Sequence, residues 1–391
     1  MSALPRPAWI LPAARLLDAD GERTADVAVS AGRLQIPPRV DGTVLRAGLH
    51  VSLPLVDAHC HCIRMRDFAA GAPHSGHAAT AERALRAMRG AGTGLLRDAG
   101  DPTAGTVAPL SMARRPSARP VLVSCGAFLA GPGESRPGVI ECPDEETFVE
   151  AVQTQARLTG GWVKLLGDRI TPEGLEPALP TDWIGLAVAS ARAAGQARVA
   201  IHAMAHETIE AALEAGVGSL EHGTDVSADQ VDRLAAKGIL WIPTLLAVTS
   251  ALEVRGHEAP LRDRVGRLTD ALARAHALGV TILAGTDGFV PHGAAALEGL
   301  ALASSLGPDA AFAALTHRGR SAFGLGARLE DGARADLVAT VSDPRTDPSA
   351  LLRPAALFVA GRMRVPHDVP RPRGITVLID RYFAAPVAQA S

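Results

Sequence analysis

The 391-residue chain is poor in lysine, cysteine and aromatic residues, and each scarcity excludes something. Lysine occurs only at positions 164 and 237, although lysine and arginine together number 39. Cationic side chains are therefore almost all arginine, and the position of each lysine is informative. Four cysteines (Cys60, Cys62, Cys125, Cys142) are too few for a disulfide framework in a chain of this size and read as buried free thiols. A thiolate site from Cys60, Cys62 and His61 is disfavoured, because alternation along a strand turns the histidine to the other face. The single tyrosine, Tyr382, lies near the C-terminus, so no tyrosine is at hand for substrate loops. A net charge of -2 gives no electrostatic reason to expect nucleic acid or an anionic membrane as partner. No run approaches the roughly 18 apolar residues of a membrane span. Met1 to Leu17 lacks the basic start and apolar core of a signal peptide, so the expected location is the cytoplasm.

What remains is a soluble composition, 47% hydrophobic and 20% charged, long enough for two domains or for one large barrel with an appendage. From Trp9 to Arg46, short apolar runs are broken by Gly21, Gly32, Pro37, Pro38 and Gly42. A similar texture returns at Arg334 to Ala339 and Ala356 to Gly361. The two ends are expected to pair into one small β-sandwich (residues 1–50 and 328–391), with residues 51–327 inserted between them. In that insertion, strand-length apolar runs occur at Leu53 to His59, Thr93 to Arg97, Val121 to Cys125, Trp162 to Leu166, Val199 to His202, Ser219 to His222, Ile239 to Ile242 and Val280 to Ala284. Segments of helical period lie between most of them, among them Ala79 to Arg89, Glu145 to Leu158, Ile184 to Ala194, Thr208 to Ala215 and Val265 to Ala277. Eight strands alternating with helices predict a (β/α)8 TIM barrel, an α/β fold. A doubly wound sheet would place a glycine-rich phosphate loop after an early strand, and none is present.

In such a barrel, chemistry sits at the C-terminal ends of the strands. His59 and His61 end the first strand and project together, as residues two apart do, which suits a divalent metal. His202 ends the fifth strand, His222 the sixth, and Asp287 follows the eighth in Gly285-Thr286-Asp287. Singly, each has a plain structural reading as a satisfied polar residue or a turn. Lys164 lies inside the apolar fourth strand, where an ammonium ion would be costly. A neutral lysine amine can instead take up carbon dioxide and become a carbamate able to bridge two metals. A lysine stem crossing the core to solvent is the alternative.

The motifs Leu55-Val56-Asp57-Ala58-His59-Cys60-His61, Leu96-Arg97-Asp98-Ala99-Gly100, Val163-Lys164-Leu165 and Ile201-His202-Ala203 together resemble the amidohydrolase superfamily. So do the run from Ala211 to Thr224, Ile242-Pro243-Thr244-Leu245, Gly285-Thr286-Asp287, Pro291-His292-Gly293 and Gly332 to Val338. Within the superfamily the chain is similar to the imidazolonepropionase-like and prolidase-like group. The resemblance spans nearly the whole chain and implies the barrel with its flanking sandwich. It also implies that His59, His61 and Asp287 hold one metal, that His202 and His222 hold a second, and that Lys164, as a carbamate, bridges them. Imidazolonepropionases lack this strand-four lysine, so Lys164 points to the binuclear, prolidase-like branch. Zinc is the expected metal, with manganese, iron or nickel as alternatives. Met204 stands where many relatives carry a polar or aromatic residue, so their substrate contacts do not transfer there.

The implied reaction is hydrolysis of an amide in a dipeptide, N-acyl amino acid or related small molecule. A water shared by two cations becomes hydroxide near neutral pH, and Asp287 moves its proton to the leaving nitrogen. Substrate contacts are expected from His292, Arg169 and His206, with His74 and His77 as further candidates. Asp57 could orient a ligand imidazole or be satisfied by backbone amides. Gly131 to Gly138 reads as a lid or as a plain surface loop. The alternatives are a single-metal cyclic-amide hydrolase or deaminase, a lactone or carbamate hydrolase, and a non-catalytic barrel scaffold. Assembly into a homo-oligomer is left open.

Overall fold

The structure, a computed structural model, describes residues 7–64, 76–103, 105–112, 119–171, 174–253, 258–364, 366 and 369–383. Its N-terminal strands are β1 (Trp9–Asp18), β2 (Gly21–Ser30), β3 (Arg33–Gln35), β4 (Thr43–Val44) and β5 (His50–Ser52). The central strands are β6 (Leu55–Cys60), β7 (Thr93–Asp98), β8 (Val121–Ser124), β9 (Phe128–Ala130), β10 (Val139–Glu141), β11 (Trp162–Leu166), β12 (Asp168–Thr171), β13 (Gly174–Pro177), β14 (Arg198–Ala203), β15 (Ser219–His222) and β16 (Leu240–Ile242). Near the C-terminus come β17 (Leu337–Thr340), β18 (Ala356–Val359) and β19 (Arg362–Arg364).

Both ends of the chain enter one eight-stranded sheet, in the order β19-β18-β17-β5-β1-β2-β3 with β4 beside β1. Leu11, Leu16, Val27, Val29, Val51, Leu337 and Phe358 belong to a hydrophobic cluster of its own. The sheet is mixed, because Arg15–Leu17 runs parallel to His50–Ser52 and Trp9–Ile10 parallel to Thr43–Val44. Hairpins account for the antiparallel pairs β1–β2, β2–β3 and β18–β19, whereas the antiparallel pair β5–β17 joins the two ends of the chain. The crossings from β1 to β4 and β5 are connected through other strands and therefore come out parallel.

The central strands form two parallel arcs, β6-β7-β8 and β10-β9-β11-β14-β15-β16. They meet between β8, which matches the strand read at Val121 to Cys125, and β9, which the sequence reading did not single out; Gly126, whose φ is +72°, lies between the two. A Cβ there would lie 2.3 Å from Gln155 Oε1. That same oxygen accepts the Ala127 amide at 2.9 Å, so the break in the ladder is satisfied by a side chain. On the other side, Thr281–Asp287 lies between the arcs. Trp241 N donates to Thr281 O (3.0 Å) and Leu283 N to Trp241 O (3.0 Å), while Ala58 N donates to Ala284 O (2.8 Å) and Asp287 N to His59 O (2.7 Å). The expected eighth strand, Val280 to Ala284, is thus replaced by isolated bridges, and the regular ladders do not complete a ring.

Helices cover the arcs. Glu145–Thr159 begins at Asp144, whose side chain accepts from Thr147 N, ends at Gly160 in the left-handed conformation, and buries Phe148, Val152 and Ala156 four residues apart. Ala228–Lys237 carries a full capping box between Ser227 and Gln230. Lys237 lies in its last turn, where a cation complements the helix dipole, which accounts for the second lysine. Cys60 and Cys62 are free, buried thiols packed with Ala81, Leu85 and Met88 of the helix His77–Gly90, as alternation predicts. Among the described residues, no helix is long and apolar enough to cross a membrane.

Candidate metal centre

β6 delivers His59 at its end and His61 just beyond it. His59 Nδ1 lies 2.6 Å from Glu221 Oε2, and since a carboxylate only accepts, the hydrogen sits on Nδ1 and Nε2 is left for a ligand. His61 Nδ1 donates to Gly100 O at 2.9 Å, which turns Nε2 to within 3.0 Å of Asp287 Oδ1. His59 Nε2 lies 3.9 Å from the same oxygen. The ligand atoms of His59, His61 and Asp287 all lie within 4.8 Å of one another, a separation one metal ion could span.

A second pair of imidazoles adjoins them. His202 Nε2 lies 3.3 Å from Asp168 Oδ1, and Asp168 is itself fixed by the amides of Met204 (2.7 Å) and Ala205 (2.8 Å). His222 Nδ1 meets Thr244 Oγ1 at 2.6 Å, leaving its Nε2. The His222 ring lies 4.5 Å from that of His202 and 5.2 Å from that of His59, centroid to centroid.

Burial, reinforced by Lys164, lowers the pKa of His59 to about 4. Burial and the neighbouring His202 hold His222 well below the ordinary histidine value. Both are therefore neutral imidazoles, the form that binds metals. For His61 burial also opposes the charge, but the hydrogen bond to Asp287 and its negative charge prevail and raise the pKa. Burial would raise Asp287, yet its contacts with His61 and His59 hold it well below the usual carboxylate range.

Lys164 is 1% exposed, and among the described residues its Nζ has no hydrogen-bond partner. Burial lowers its pKa. An orphaned, desolvated amine facing a cavity with four imidazoles and a carboxylate fits a site built for divalent cations, since the buried polar groups of a finished protein are otherwise paired.

Backbone strain is concentrated in the same place. His222 (φ +71°), Thr244 (+47°) and Asp287 (+54°) adopt the left-handed region that non-glycine residues avoid, and all three are site residues. Gly285 permits the close approach of the Asp287 segment, because a Cβ there would lie 2.7 Å from His59 Cβ.

The bracing groups escaped the sequence reading. Arg97, fully buried, donates to Ala58 O (2.7 Å), Ser219 Oγ (2.8 Å) and Glu221 Oε1 (2.6 Å), and stacks 4.7 Å from the Trp162 ring centroid. Glu221 then holds His59. Its neighbour His222 also lines the cavity, although adjacent residues of a regular strand face opposite ways; the left-handed backbone at His222 removes that restriction. Glu298 accepts from Leu245 N (2.7 Å) and Leu246 N (3.1 Å), just past Thr244. Asp57 orients no imidazole: its oxygens accept from Thr286 N (3.0 Å) and Thr286 Oγ1 (2.7 Å), steadying the turn that presents Asp287.

The six expected ligands line one cavity of about 320 Å³ together with Phe128, Leu166 and Phe289. An outer chamber of about 560 Å³ shares His202, His222, Asp287, Arg136 and Phe289 with it. Arg169 lines only the outer chamber, 3.4 Å from Glu176. His206 is exposed at the start of the helix His206–Ala215 and lines neither cavity, because its side chain leaves the strand end on the solvent side. His292 Nε2 lies 2.8 Å from His61 O, so it is engaged with the backbone and likewise lines neither. His77 is buried in the first turn of its helix, away from both; His74 lies outside the described residues. The Gly131 to Gly138 stretch is tied down by Gly131 N to Ala178 O and Gly133 N to Glu141 Oε1, and Gly133 to Arg136 form part of the outer chamber wall.

A sequence profile of the amidohydrolase family matches residues 51–364. The chain belongs to this family. It is accordingly a hydrolase acting on C–N bonds, as the motifs implied, and amidohydrolases generally use divalent metal ions. The chain is 31% identical to an uncharacterised Mycobacterium tuberculosis protein over 347 residues, covering 85% of this chain and 90% of that protein. Among solved structures it is similar to a Bifidobacterium longum protein provisionally described as a prolidase (24% identity, TM-score 0.78, covering 97% of this chain and 100% of that one). It is also similar to a Xaa-Pro dipeptidase with methionine in its active site (22%, 0.74, covering 92% and 100%) and to an ochratoxinase from A. niger (20%, 0.74, covering 94% and 100%). These likenesses give a TIM-barrel-like α/β fold.

Proposed function

We propose that the protein is a metal-dependent hydrolase that cleaves the amide bond of a dipeptide or N-acyl amino acid at a two-metal centre. The catalytic unit is residues 51–327, a (β/α)8 barrel, and residues 1–50 with 328–391 form its β-sandwich appendage. The observation that carries the reading is the orphaned Lys164 amine, buried in the cavity that His59, His61, His202, His222 and Asp287 also line. His59, His61 and Asp287 would hold one ion, zinc before manganese, iron or nickel, and His202 and His222 would hold the other. Lys164, once its neutral amine had added carbon dioxide and lost a proton, would supply an anionic carboxylate as a further ligand. The prolidase and dipeptidase names among its structural relatives support a dipeptide or close analogue as substrate. We place the enzyme in the cytoplasm.

Divalent ions, when bound, lower the pKa of water toward about 7 and polarise a carbonyl. The chain's own residues do the rest. Phe128, Leu166 and Phe289 line the cavity with apolar surface, which limits water and strengthens each charge interaction inside. Asp287 takes the proton of the attacking water and returns it to the departing nitrogen. The water oxygen thus bonds to the carbonyl carbon, the C–N bond breaks, and acid and amine leave in balance. Glu221, braced by Arg97, keeps the His59 hydrogen on Nδ1, and Thr244 does the corresponding work for His222.

A single-metal reading has one observation in its favour: among the described residues, only His59, His61 and Asp287 already lie within mutual ligand distance. Chelated protein, reloaded with zinc or manganese and assayed against dipeptides, N-acyl amino acids and cyclic amides, separates the two. Metal-dependent cleavage of linear amides supports the proposal; activity confined to cyclic amides favours one ion.

A further inference from the structure

The sequence points to Arg169 as the cation for a substrate carboxylate, but the structure favours another residue. In a dipeptide or N-acyl amino acid, the carboxylate carbon is only about 3 to 4 Å from the scissile carbonyl carbon. Its anchor must therefore border the metal-side cavity. Arg169 borders only the outer chamber, whereas Arg136 borders both.

Arg136 is also unusually well braced. Its Nε donates to Glu134 Oε1 and its Nη2 to Glu134 Oε2, both at 2.8 Å, and its own backbone N–H adds a third bond to Oε1 at 2.9 Å. The Glu134 side chain is 2% exposed, against 39% for Arg136. A surface ion pair would leave both partners in water. Here the carboxylate is buried and grips the Nε/Nη2 edge of the guanidinium; among the described residues no hydrogen bond runs from Nη1, and the residue lines both chambers. A planar fork held along one edge is pre-organised to bind a carboxylate bidentately along the other. Beyond it, Ile170, Met204, Ala247, Val248, Ala251 and Phe289 give the outer chamber an apolar wall.

We propose that Arg136, positioned by Glu134, binds the α-carboxylate of the substrate while the outer chamber takes its side chain. The preferred substrates are then N-acyl or aminoacyl derivatives of large apolar amino acids. This inference rests on the amide-hydrolase reading above, and its test keeps the two apart.

The metal-loaded enzyme is assayed with N-acetyl-L-phenylalanine, glycyl-L-phenylalanine and glycyl-L-leucine, each against its C-terminal amide. The free acids should be preferred by about 30- to 100-fold in kcat/KM, the range expected for a charge-assisted hydrogen-bonded pair. Arg136→Met should collapse that acid-to-amide ratio toward unity, Arg136→Lys should restore part of it, and Arg169→Met should leave it in place. Glu134→Gln should raise KM for the acids more than it lowers kcat. Equal use of acid and amide by the wild type overturns the inference and leaves the hydrolase reading standing. A ratio lost in Arg169→Met but kept in Arg136→Met overturns it in favour of Arg169. Should neither acid nor amide be cleaved, the hydrolase reading fails, and calorimetry with N-acetyl-L-phenylalanine decides the rest. Binding that Arg136→Met abolishes supports the carboxylate anchor; no binding, or binding indifferent to that change, overturns it.

Discussion

At the residue scale the account turns on side chains whose surroundings suit them to metal chemistry and to little else. Lys164 has neither the solvent nor the partner that a structural lysine needs. Asp287 is held as a carboxylate by two histidines, on a backbone that strain alone would not select. Replacing Asp287 by Ala should lower kcat/KM by at least about 10³-fold, since it removes both a ligand and the proton carrier. The melting temperature should move by no more than a few degrees. A variant that retains most of its activity would remove Asp287 from the mechanism. The candidate ligands were legible in the sequence because the histidines close apolar strand-length runs, Lys164 stands alone inside one, and Asp287 follows another in Gly285-Thr286-Asp287. Glu221, Arg97 and Asp168 were not, because their roles arise between strands. Arg97 meets Glu221 across 124 positions of chain, and that pairing leaves no periodic trace.

At the element scale, local chemistry explains why the helices were readable and why part of the barrel was not. Ser227 and Gln230 cap the helix Ala228–Lys237 reciprocally, and Gly238 ends it in the left-handed conformation. Ser227→Ala should cost about 1 kcal/mol, measured as a lower urea midpoint, with activity retained. An unchanged midpoint would mean that tertiary packing alone holds that helix. β9 and the sparse bridges of Thr281–Asp287 were not legible, because three residues are too few to show a period and the apolar run Val280 to Ala284 looks like that of a regular strand.

Glu298 illustrates the same scale electrostatically. Burial lifts its pKa to about 8, against two backbone N–H bonds from the start of the helix Leu245–Glu253 that favour ionisation. Because the folded value is raised, the folded chain holds a proton that the unfolded chain has released between about pH 4.3 and 8. That stabilisation is present at low pH and is lost as pH rises through about 8. In metal-free protein, going from pH 5 to pH 8 should cost the wild type on the order of 3 to 4 kcal/mol more than Glu298→Gln, by urea unfolding. Parallel losses in the two proteins would mean that Glu298 is ionised throughout.

At the scale of the whole molecule, two parallel arcs and the segment between them bring residues 59 and 287 to one oxygen's distance, while both chain ends join a single sheet. Alternation of strand and helix made the α/β architecture readable. The parallel neighbours within the terminal sheet were not, because strand direction depends on connections that composition does not encode. The central claim, a two-metal centre bridged through Lys164, is tested most directly by counting metal ions per chain. The protein is purified without chelator and supplied with bicarbonate, beside Lys164→Met handled identically. The account predicts about two ions in the wild type and about one or none in the variant, with both chains folded. One ion per chain in both, or two in both, would contradict it.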